Sequence, residues 1–130
     1  MDYVEESLYF SRDELKCKHT GECEMDPEFL DHLDTLRERV GRPLYLSSAY
    51  RDISHPAEAR KGEGNYGAHA HGKAADIECS RSEAHEILRE IMDMGVFTGV
   101  GIQQKGAGRF IHIDTMTKEE GFNRPTVWSY

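Results

Sequence analysis

Between Gly67 and Asp76 the chain reads Gly-Ala-His69-Ala-His71-Gly72-Lys-Ala74-Ala-Asp76. Further on, Phe110-Ile-His112-Ile-Asp114 sets a second imidazole beside a second carboxylate. Neutral imidazole and carboxylate are the donors that hold zinc while leaving a coordination position open, which a hydrolase needs to activate water. Three such donors would make this chain a metallohydrolase. Taken singly, a histidine on a strand or an aspartate near a turn is an ordinary structural residue. Only the two clusters together point to a metal.

These side chains need elements to position them. His112 and Asp114 lie in a β-like run, where a period of two puts both on one face with Phe110 and sends Ile111 and Ile113 to the other, toward a core. Ala74 to Cys79 reads as a strand carrying Asp76, entered through a loop whose small residues, Gly72 and Ala74, allow close backbone approach. Leu44 to Tyr50 reads as another strand, leading into Arg51. The stretch from Asp52 to Gly67 is polar and glycine-rich with no helical or strand period, and loops of that length tend to be functional.

Two helices frame these strands. Asp26 is the expected N-cap of the first, with Pro27 at its first position and Glu28 suited to the helix dipole. Phe29, Leu30, Leu33, Leu36 and Val40 make its buried stripe, and Gly41 ends it. Ser80 and Glu83 form a capping-box pattern ahead of a second stripe, Ala84, Ile87, Leu88, Ile91 and Met94, closed by Gly95. Ser11 starts a short helical turn. Thr98–Gln103 and Arg109–Thr115 read as antiparallel strands joined by a glycine-rich turn. The order of elements predicts a single α+β domain, with a mainly antiparallel sheet and flanking helices. Residues 1–25 are read as an N-terminal extension, 26–115 as the motif-bearing core and 116–130 as a tail.

Composition narrows the function. A chain of 130 residues with 38% apolar content suits one domain with one core. A net charge of −8 disfavours nucleic-acid binding and steering to anionic membranes. No apolar run is long enough for membrane insertion. The acidic start, without a basic and apolar leader, predicts synthesis in a cytoplasm without a signal peptide. Cys17, Cys23 and Cys79 are an odd number of cysteines and read as free thiols. The spacing of Cys17, His19 and Cys23 is only loosely that of a second zinc site.

Three ordered motifs, Leu46-Ser-Ser-Ala-Tyr50-Arg51, the Gly67–Asp76 stretch, and Gly99-Val-Gly101-Ile with Phe110–Asp114, make the chain resemble the zinc D-alanyl-D-alanine carboxypeptidase family (peptidase family M15). The similarity is to its short phage and bacterial members, of the hedgehog/DD-peptidase fold, and runs from about Pro27 to Thr115. That family's Ser-x-His-x-x-Gly-x-Ala-x-Asp motif is matched here with Gly67 in place of the serine.

The resemblance implies that His69, Asp76 and His112 are ligands of Zn2+ and that Arg51 binds a carboxylate or amide oxygen of a peptidoglycan stem peptide. Many relatives carry an acid or histidine shortly before the last ligand, where this chain has Arg109 and Phe110. Asp114 is therefore the first candidate for the base, His71 the next. Asp114 could instead orient a ligand imidazole, or exchange roles with His112. Ser47, Ser48 and His71 are candidates to touch substrate. The implied activity is a D,D-carboxypeptidase or endopeptidase, such as a phage endolysin or wall-remodelling enzyme, reaching the cell wall through a holin or virion. The alternative is a zinc-containing binding or structural module without turnover. The oligomeric state is open.

Overall fold

The computed structural model describes residues 2–130. Four helices run from Arg12–Leu15 (α1), Pro27–Val40 (α2), Pro56–Ala59 (α3) and Arg81–Met94 (α4). Five strands run from Tyr45–Ser48 (β1), Ala74–Glu78 (β2), Gly99–Gln103 (β3), Phe110–Asp114 (β4) and Thr126–Ser129 (β5), and a 3-10 turn spans Ala68–His71. The strands form one sheet in the order β1-β2-β4-β3-β5. The chain is α+β, as its pattern predicts.

Both long helices begin and end where their punctuation directs. The Asp26 carboxylate accepts the Phe29 amide at 2.9 Å, and Gly41 closes α2 in the left-handed region at φ 78°. Gly95 closes α4 the same way, but the Ser80 side chain makes no capping hydrogen bond, so the capping box expected there does not form. A capping box does form at α1, between Ser11 and Glu14. The stripes of α2 and α4 pack with Ala75, Ile77, Val100, Ile111 and Ile113 into one core.

Three expectations about organisation change. The Asp52–Gly67 stretch holds a helical turn, α3, started by Pro56 and capped by the His55 ring, which accepts the Ala57 amide. The segment read as an extension supplies Phe10, Leu15, Cys17, Cys23 and Met25 to the core. The tail adds β5, which runs parallel to β3 in an otherwise antiparallel sheet. Apolar side chains at both ends of the chain thus bury themselves in the same body as the middle.

Register does the rest. Ser48 pairs with Asp76, Asp76 with His112, His112 with Gly101, and Gly101 with Trp128. This row crosses all five strands on the face turned away from the isoleucine core, because alternate residues of a strand point to opposite faces. Asp114 and Gly99 lie opposite one another in the neighbouring row.

Candidate metal centre

His69 reaches the row from the 3-10 turn that precedes β2. Gly72 ends this turn at φ 70°, and a Cβ there would collide with the Glu24 carbonyl, so the site needs glycine on two counts. The Gly72 carbonyl accepts the Asp26 amide at 2.9 Å, which ties the turn to the start of α2.

His69, Asp76 and His112 are all buried, and each offers a donor atom within 4.8 Å of the others. Their hydrogen bonds decide which ring nitrogen faces inward. His69 Nδ1 lies 2.7 Å from the Ala49 carbonyl oxygen, which can only accept, so Nδ1 carries the proton. The Nε2 of the neutral ring is then a lone pair facing Asp76 Oδ1 at 3.3 Å. His112 Nε2 donates to Asp114 Oδ2 at 2.7 Å, and its Nδ1 faces the same Asp76 oxygen at 2.9 Å, so that a cation bound there would take the place of the Nδ1 proton. Two imidazole nitrogens and a carboxylate oxygen thus converge on one point that a cation could occupy. Donors of this type and number fit zinc.

Protonation differs between the two rings. Burial lowers the His69 pKa and keeps the ring neutral, as a ligand must be. Burial also disfavours charge on His112, but its bonds to Asp114 and Asp76 outweigh this and raise its pKa. Burial pushes Asp76 up, while the two imidazoles outweigh it and hold the carboxyl well below the usual range.

Arg51 stands beside this group. Its Nε donates to Ser48 Oγ at 3.1 Å. Its Nη1 lies 3.6 Å from Glu58 Oε2 and its Nη2 3.7 Å from Asp76 Oδ2. Both ionic contacts are longer than hydrogen bonds, so the outer edge of the guanidinium keeps donors for a ligand. Ser48 therefore serves Arg51, and the Ser47 hydroxyl turns toward the Asp76 carbonyl. His71 is exposed, edge-on to Phe122, and lines a cleft of about 400 Å3 with Lys61, Tyr66 and Phe122 next to the metal turn.

Asp114 shares a face with His112 but is fully buried. Arg124 grips both its oxygens, Nε to Oδ1 at 2.9 Å and Nη2 to Oδ2 at 2.6 Å, and the Met116 amide donates to Oδ1. A carboxylate committed to four donors has no freedom to take a proton from water. Of the two roles expected for Asp114, orienting the His112 ring fits this geometry and the base does not. The exchange of roles with His112 fails too, because Asp114 lies on the Nε2 side of the ring, away from His69 and Asp76.

Two residues of the site had no signal in the sequence. Glu58 is fully buried at the end of α3, where it accepts the Gly67 amide at 2.8 Å and pairs with Lys61 at 3.1 Å. Arg124 comes from the tail and finds Asp114 only through the fold. The cysteines are all buried free thiols, and among the described residues His69, Asp76 and His112 form the only potential metal-ligand group, which does not include Cys17, His19 or Cys23.

A family model described as Peptidase M15 matches residues 8–114. The match begins earlier than the motifs do, within the segment that supplies Phe10 and Leu15 to the core. Neither the curated proteins nor the solved structures yielded a match.

Proposed function

The chain belongs to the peptidase M15 family, and from that premise we propose that it is a zinc peptidase cleaving peptidoglycan stem peptides at a bond involving a D-residue. The observation that carries this reading is the convergence of two imidazole nitrogens and a carboxylate oxygen within 4.8 Å. His69, Asp76 and His112 are the residues that would hold zinc. Bound there, zinc supplies a Lewis acid for the scissile carbonyl and lowers the pKa of water toward about 7.

The chain's own residues do the remaining work. The Ala49 carbonyl and the Asp114 carboxylate hold the two rings with the correct nitrogen inward. Arg51 captures a carboxylate or amide oxygen of the peptide, since its planar fork matches that geometry and its present contacts are long. Action at the cell wall, as an endolysin delivered by a holin or virion or as a remodelling enzyme, follows from such a substrate.

One observation favours a second reading, a zinc-containing binding module without turnover. The acid nearest His112 in sequence, Asp114, is locked to Arg124 rather than poised over the site. Zinc content of the purified chain, with mass spectrometry of muropeptides before and after incubation, separates the two. One zinc per chain and a defined mass loss supports the peptidase and identifies the bond. Zinc without cleavage of any muropeptide supports the binding module, and no zinc overturns both.

A further inference from the structure

We infer that Arg124 is a positioning residue of the metal centre, acting on His112 through Asp114. This inference rests on the reading above in which His112 is a ligand.

The chain of contacts has two steps. His112 presents Nδ1 inward only while Nε2–H is held outward by Asp114 Oδ2, at 2.7 Å. Asp114 can hold that proton in place only if its own carboxylate plane is fixed. Arg124 fixes it at two points, 2.9 Å and 2.6 Å, as a planar fork does and a point charge cannot. The orientation of a ligand on β4 therefore depends on a residue of the tail, beyond the residues 8–114 that the family model matches.

Independent features of the chain serve this arrangement. The Arg124 guanidinium lies between two rings, 5.2 Å from the centre of Phe122 and 5.1 Å from that of Trp128. Trp128 in turn lies against the His112 ring, with centroids 5.2 Å apart. β3 is hollowed out beneath them. A Cβ on Gly99 would strike both Asp114 oxygens and come within 2.5 Å of Arg124 Nε, and one on Gly101 would come within 2.6 Å of Trp128 Nε1. The two glycines that read as part of a hairpin motif are thus the space in which the tail docks on the site.

The test uses the full chain with Arg124→Lys, which keeps the charge and loses the fork, and Arg124→Ala. Two quantities are read: the zinc dissociation constant by chelator competition, and solvent exchange of the His112 Nε2–H proton by NMR, with and without metal. In the parent this proton is expected to be protected. Arg124→Lys is expected to speed its exchange at least about 10-fold and weaken zinc about 10–100-fold, as loss of an outer partner does. The β4 backbone amides should keep their protection, which a general loosening of the fold would not allow. Parental exchange and parental zinc affinity in Arg124→Lys overturn the assignment, whether or not Arg124→Ala folds. The metal-free exchange measurement tests the contact even if the parent chain takes up no zinc, so that result would count against the proposed function alone.

Discussion

His69 Nδ1 lies 2.7 Å from the carbonyl oxygen of Ala49, twenty residues earlier in the chain. That bond assigns the ring proton and turns Nε2 into a lone pair pointing at Asp76. A backbone carbonyl just beyond β1 thus orients a candidate ligand that stands before β2, and the β1–β2 pairing brings the two together.

Removal of either imidazole leaves two donors where three converge. His69→Ala and His112→Ala are expected to lose zinc by more than the ~100-fold that loss of an outer partner costs, and to lose turnover with it. Isothermal titration with zinc checks this, and a His69→Ala chain that binds zinc like the parent removes His69 from the ligand set.

Asp114→Ala has a different signature. It leaves the Arg124 guanidinium, held against a fully buried carboxylate, without its partner. Breaking a buried pair this way costs about 3–5 kcal/mol. Urea denaturation is expected to show that loss alongside weakened zinc binding. Parental stability and zinc affinity with turnover alone abolished would return Asp114 to the role of base.

Arg51→Ala is expected to raise KM for a muropeptide about 10-fold, the worth of one charge-assisted hydrogen bond, with a smaller change in kcat. Steady-state kinetics decides. Equal loss in kcat and kcat/KM with unchanged KM would mean that the guanidinium acts only in the transition state.

Glu58 gives a pH prediction. Burial raises its pKa, but the Gly67 amide and the Lys61 and Arg51 charges outweigh this and depress it. A depressed carboxyl contributes stability at neutral pH that is lost as pH falls below its unfolded value of about 4.3 and through the folded one. Glu58→Gln should therefore cost about 1–3 kcal/mol at pH 7, and the gap from the parent should narrow on acidification. Urea midpoints for the two chains at falling pH check it, and a constant gap would sink the idea.

Gly101→Ala should destabilise by about 1–3 kcal/mol, because the added methyl meets Trp128 and overpacked sites relax only in part. Thermal melts are sufficient. A neutral result would show that the tail moves away easily.

Much of this protein was legible without coordinates. The helix over Pro27–Val40, the hairpin of β3 and β4, and the inward isoleucines on either side of His112 follow from periods and caps, which act over a few residues and are written in spacing. The candidate donors His69, Asp76 and His112 stood out as residue types in motifs that resemble a family's. Tertiary structure alone decided which nitrogen each ring presents, that Asp114 is spoken for, and that Glu58 anchors the loop. It also decided that residues 116–130 complete the site instead of trailing from it. The physical reason is range. A helical stripe or a strand alternation is repeated locally, whereas the Arg124 fork meets Asp114, and Trp128 covers His112, through single long-range contacts that leave no period in the sequence.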